Sequence, residues 1–304
     1  MSDRLTSWRA RAERYFARVD SVLGGSLTVV RSAVERFTAV RGSQAAASLS
    51  YYAFFSLFPL LLFILIAAGS LLGRERVYDQ LVHVLEDVLP VGGEVVGPTI
   101  QRVLPETDSL QVVAALGLLW AGTGFFSALV FNIDLGWPEV RAANPVRQRL
   151  YGLLMVVALT LLLLLSLVFN LLLDVLLRLE PLLPSARNLL EGTLWPTATR
   201  LLPAGVAFLL LLGLYWGVPK AKVRWQAAAW GALAAALVWH LVSGGFSWLV
   251  ATGLVHYEDV YGPLGAVVGL LFWMYLSNWI VLFGAHLTAA IDRRYADARP
   301  TLPS

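Results

Sequence analysis

The amino-acid sequence predicts an all-α polytopic membrane protein: six transmembrane helices, an N-terminal amphipathic interfacial helix and a partly helical first external loop. Three observations carry that prediction. Hydrophobic residues make up 58% of the 304-residue chain and charged residues only 14%, where an average soluble domain has about 25% charged. Six stretches are long and apolar enough to cross a hydrocarbon core of about 30 Å as helix. Basic residues recur on alternate inter-span segments, which sets the orientation. A soluble enzyme, a nucleic-acid-binding domain and a disordered scaffold are excluded, because so much apolar surface cannot be hidden in water.

The expected spans cover about 45–72, 110–133, 150–177, 195–218, 225–252 and 260–291, each satisfying the requirement for roughly twenty apolar residues. None alternates with period 2, so a membrane β-barrel is not indicated. The chain therefore divides into a cytoplasmic basic amphipathic arm (1–44), a six-helix transmembrane domain (45–292) and a cytoplasmic tail (293–304). Eight arginines lie in 1–44; Arg141, Arg147, Arg149, Lys220, Lys222, Arg224, Arg293, Arg294 and Arg299 bring that side to 17 of the 23 Lys and Arg. The remaining six are accompanied by twelve acids. This asymmetry places both termini in the cytoplasm. The polar arm lacks the compact apolar core of a cleavable signal, so the first span is expected to serve as an uncleaved anchor.

Residues 4–40 read as two amphipathic helices broken near Gly24-Gly25. Leu5, Trp8, Tyr15, Phe16, Val19, Val22 and Leu23 share one face, and Val30, Val34 and Phe37 continue it. Such a basic helix is drawn to the interface of an anionic leaflet. In the first external loop, about 73–109, Val77, Leu81, Val84, Leu85 and Val88 form a helical stripe.

Polar groups inside hydrocarbon are costly, which makes them functional candidates. Tyr52, Ser56, His240, Ser243 and Asn278 are expected to line a polar cavity. The competing structural reading is interhelical hydrogen bonding at about 0.6 kcal/mol each. Pro59 should kink the first span by freeing the Phe55 carbonyl. Gly213, Gly217, Gly231, Gly265 and Gly269 fall in small-residue patterns that allow close helix packing. There is no cysteine, no GxxxxGK[ST] phosphate loop, no HExxH and no GxSxG. No catalytic residues, metal site or cofactor are therefore expected. His256, Glu258 and Asp259 cluster in a short external segment, where solvation accounts for them.

Several blocks resemble the YihY/BrkB family of bacterial inner-membrane proteins. They are AAASLSYYAFFSLFPLLLFI in the first span, LWAGTGFFSALVFNIDLGWPEVRAANPVRQRL across the second span and its loop, and WQAAAWGALAAALVWHLVSGGFSWLV with YGPLGAVVGLLFWMYLSNWIVLFGAHLTAAI near the C-terminus. The similarity covers about residues 30–292, with His286 standing where the family's GAEL pattern has Glu. The resemblance implies a bacterial inner-membrane location. It also implies kinship with proteins linked to serum resistance and with one implicated in moving lipid A precursors across that membrane. Family members were once labelled ribonuclease, a label without support in these residues, which show neither clustered metal ligands nor a basic nucleic-acid groove.

The expected function is a non-enzymatic transporter or lipid and envelope-precursor translocator. Its partners would be membrane lipid and a small-molecule or lipid substrate, without nucleic acid; a homo-oligomer is left open. The alternative is a structural or regulatory membrane protein acting through its external loop. The cysteine-free chain permits a direct test of topology. Single cysteines placed in 1–44 or 293–304 should react only from the cytoplasmic side, and those in 73–109 only from the opposite side. Reversed or mixed labelling contradicts the assignment.

Overall fold

A computed structural model describes residues 25–73, 108–137, 146–158, 195–252 and 264–297, with 20, 75, 77–79, 81–82, 144 and 160–161. The N-terminal stripe Leu5 to Leu23, the distal part of the loop stripe (Val84, Leu85, Val88), most of the third span's outer half and the His256, Glu258 and Asp259 cluster lie outside the described residues. Among the described residues all regular structure is helical, with no strand.

Seven helices are designated in chain order: α1 Ser26–Ala39, α2 Gly42–Leu72, α3 Asp108–Asp134, α4 over 146–158, α5 Trp195–Gly217, α6 Trp225–Ala251 and α7 Gly265–Asp297. Among the described residues three segments are long and apolar enough to cross a membrane: Gly42–Ile66, Trp225–Ala251 and Gly265–Asp297. In α5 the apolar portion is the shorter Ala204–Gly217. Helix α2 runs unbroken through Pro59.

Helix α7 is the hub. It packs against α6, α2 and α1, while α3 packs mainly on α2 and α5 mainly on α6. One apolar cluster joins all of these at the arginine-bearing end, through Phe37, Leu49, Ile133, Tyr215, Ala232 and Ala285, and Tyr151 and Met155 of α4 pack against it. A second, toward the other end, joins α2, α6 and α7 through Leu61, Leu65, Phe246, Leu270 and Trp273. Val77 and Leu81 are buried in this second cluster, so the proximal loop stripe is seated on the bundle.

The α6–α7 seam is built from small residues. A Cβ on Gly231 would meet Thr288 Oγ1 at 1.9 Å, and one on Gly284 would meet the Tyr215 hydroxyl at 2.3 Å and Ala235 Cβ at 2.8 Å. Tyr215 is fully buried and donates its hydroxyl to the Val281 carbonyl at 2.8 Å, tying α5 to α7. Gly265 and Gly269 are buried in α7. Gly213 and Gly217 differ from expectation: an added Cβ there meets nothing within 4 Å among the described residues. Gly284, outside the expected pairs, makes the closer contact because its face points at both α5 and α6.

Helix α1 also departs from the sequence reading. Val29, Ala33 and Phe37 are its buried residues, whereas Val30 and Val34 are exposed. The partners explain the choice. Gly25 lies against Arg294, Val29 and Ala33 cluster with Leu287, Ala290 and Ile291, and Phe37 meets Trp279, Phe283 and His286. Helix α1 thus runs antiparallel along the last turns of α7. With 33 residues α7 is about 50 Å long, more than a bilayer core requires. Gly25, at φ 80°, supplies the left-handed turn before α1, and Asp20 accepts the Thr28 N–H at 3.1 Å and its hydroxyl.

Overpacking the seam should be measurable. Gly284→Val is expected to cost about 1–3 kcal/mol in detergent-solubilised protein. Gly213→Ala should be neutral or stabilising by up to about 1 kcal/mol. Equal thermal-unfolding midpoints for both variants contradict the packing described here.

Candidate functional site

The five expected cavity residues fall into different environments. Ser56 and Asn278 are buried, and each satisfies itself on its own helix: Ser56 Oγ donates to the Tyr52 carbonyl at 2.6 Å and Asn278 Nδ2 to the Met274 carbonyl at 2.8 Å. Tyr52 and His240 are exposed, and Ser243 is half-buried. The phase of α6 accounts for His240. Its buried stripe passes through Gly231, Ala235 and Phe246, and His240 lies about 140° around the helix from Ala235. The neighbouring Trp239 makes the polar link instead, its Nε1–H donating to Ser277 Oγ at 3.3 Å.

A denser polar constellation occupies the arginine-bearing end. Asp134, the last residue of α3, is buried; its Oδ1 accepts the backbone N–H of Lys220 in the α5–α6 turn at 3.2 Å. Its Oδ2 is buried without a hydrogen-bond partner among the described residues. Val130, Arg147, Gln148, Tyr151, Val218 and Lys220 enclose the carboxyl in a recess. Desolvation raises the Asp134 carboxyl above its ordinary value, and the Lys220 N–H and the charges of Lys220 and Arg147 oppose that shift without cancelling it. Next to it, Arg36 of α1 donates through Nε and Nη2 to the Leu135 carbonyl at 3.3 and 3.2 Å. A cation there neutralises the negative end of α3.

The belt continues through α6 and α7. The Arg224 N–H donates to Asp292 Oδ1 at 3.2 Å, and Arg224 Nη1 donates to the Asp292 carbonyl at 2.8 Å. His286 is 1% exposed; its Nδ1–H donates to the Leu282 carbonyl at 2.8 Å, its Nε2 has no partner among the described residues, and the Phe37 ring covers it edge-on. Helix α4 closes against α3 at Gly152, where an added Cβ would meet Ser127 Oγ at 2.5 Å. Arg149 of α4 stacks 4.1 Å from the Trp120 ring. Among the described residues no three His, Cys, Asp or Glu side chains gather as a metal site.

Fold and site together define a helical membrane protein whose buried charges concentrate at one end. A family model described as Virulence factor BrkB matches residues 33–304, and the chain belongs to that family. It is 27% identical over 288 residues to a UPF0761 membrane protein of Vibrio campbellii, covering 93% of this chain and 88% of the relative. A UPF0761 membrane protein of Vibrio parahaemolyticus is 30% identical over 304 residues, with the same coverage of 93% and 88%. A Bacillus subtilis relative named ribonuclease-like protein YfkH is 23% identical over 270 residues, covering 88% of this chain and 96% of the relative. No solved structure matches the chain.

Arg36 is the side chain that carries α1 onto α3. Arg36→Gln should lower stability by about 1.5–3 kcal/mol, the range for a hydrogen bond to a charged donor, with the loss read by thermal unfolding in detergent. An unchanged midpoint removes the capping role.

Proposed function

We propose that this BrkB-family membrane protein is a non-enzymatic transporter or translocator of lipid or envelope precursors. In this reading it crosses the bacterial inner membrane six times with both termini in the cytoplasm. The observation that supports it is the polar belt. At the arginine-bearing end, α1, α3, the α5–α6 turn, α6 and α7 are linked by charged side chains reaching one another's backbones. Charged groups kept inside a membrane protein mark pathways and moving parts more often than static packing, and a few directional ties can be broken and remade. The ribonuclease-like name of one relative is not carried over to this chain.

A structural or regulatory role through the first external loop is the second reading. The burial of Val77 and Leu81 supports it, because that burial anchors the start of the loop on the bundle and fixes where the rest is presented.

Reconstitution separates the two. Purified protein in liposomes should move a fluorescent phospholipid or accumulated solute, alone or under a proton gradient, above protein-free vesicles. Replacing 83–104 by a Gly/Ser linker should leave that flux intact. No flux under any gradient, with cellular function abolished by the linker variant, favours the regulatory reading.

A further inference from the structure

Asp134 combines three features that ordinary packing does not explain. It is 8% exposed, it sits at the end of a helix where carbonyl dipoles disfavour a negative charge, and one of its two oxygens is buried without a partner among the described residues. A carboxylate with one hydrogen bond in such a place is poorly solvated, whereas the carboxylic acid tolerates it.

The groups facing Asp134 come from every neighbouring element. The α5–α6 turn brings Lys220, and α4 brings Arg147, Gln148 and Tyr151. Helix α1 spends its Arg36 on the adjacent Leu135 carbonyl. Helix α7 presents Ala285 and Ala289 beside Gly136, while its Asp292 is tied to Arg224 and its His286 lies under Phe37. Two cations therefore face the carboxyl, but the hydrogen bond that seats the turn comes from the Lys220 backbone.

We infer that Asp134 is a proton-binding latch between α3 and the 218–222 turn: with a proton on Oδ2 the turn stays seated, and loss of that proton unseats it so that the carboxylate reaches water. The ligand is a proton exchanged with the solution at the arginine-bearing end. The direction follows from linkage. The seated form has the higher carboxyl pKa, because desolvation outweighs the cations, and a proton favours the state that binds it more tightly. Seating is complete below the ordinary carboxylate value and is lost as pH rises through the seated-state value. The turn joins α5 to α6, so the latch governs how that connection meets the end of α3. The inference rests on the surroundings of Asp134 and requires no transport activity.

The test uses the full chain purified in detergent. Difference infrared titration should show a protonated-carboxyl band that disappears above the ordinary carboxylate range and is absent in Asp134→Asn. Amide exchange of 218–222, corrected for its intrinsic pH dependence, should accelerate across the same midpoint. The expected gain is about tenfold for each unit separating the seated and unseated values. Asp134→Asn, which keeps an acceptor but cannot ionise, should remain protected at all pH values. Lys220→Gln retains the backbone N–H but removes a cation, so its midpoint should shift upward. A band that titrates at the ordinary value, or exchange that does not follow it, overturns the inference. An unmoved midpoint in Lys220→Gln does so as well.

Discussion

The bundle depends on how closely α6 and α7 approach. Gly231 and Gly284 remove the side chains that would hold the two backbones apart, and Thr288, Ala235 and Tyr215 occupy the space. Without a hydrophobic driving force between helices in lipid, such contact supplies van der Waals attraction and short polar links in its place. Tyr215 adds a third helix through the Val281 carbonyl. Because α2 and α1 also lean on α7, the seam sets the position of nearly every other described element.

The polar groups divide by depth along this frame. Within the apolar lengths, serine, threonine and asparagine turn back to carbonyls one turn earlier, as Ser50, Ser56, Asn278 and Thr288 do. This satisfies them locally and leaves packing to decide the fold. At the arginine-bearing end the pattern reverses. Arg36, Asp134 and Arg224 cross between elements, so electrostatic ties there bind pieces that share limited apolar surface.

The all-helical character of the described residues was legible in the sequence, because twenty-residue apolar runs leave little choice of secondary structure in hydrocarbon. The sequence also revealed Gly231, whose four-residue spacing with Ala227 and Ala235 marks a close face. It did not reveal which way His240 or Val30 would point. Hydropathy is nearly uniform around the helix that carries His240, so period analysis has no polar face from which to set its phase. Helix α1 is amphipathic, and there the partners on α7 select Val29, Ala33 and Phe37 over Val30 and Val34. Asp134 is inconspicuous in the sequence for a related reason: it sits at the end of an apolar run, where a carboxylate is ordinarily hydrated. The returning α5–α6 turn, far away in sequence, covers it together with α4. In the sequence Arg36 shows only its charge, and its reach to the Leu135 carbonyl follows from α1 running along the last turns of α7.

That stance of α1 has a consequence for biogenesis. A nascent chain emerges amino end first, yet the surface that shelters Phe37 is supplied by the final described helix. Until α7 is made, Phe37 can lean only on the start of α2, and Val29 and Ala33 have no apolar home other than the membrane surface or a chaperone. Helix α1 is thus finished only after α7, and its closure reports that α7 has been inserted.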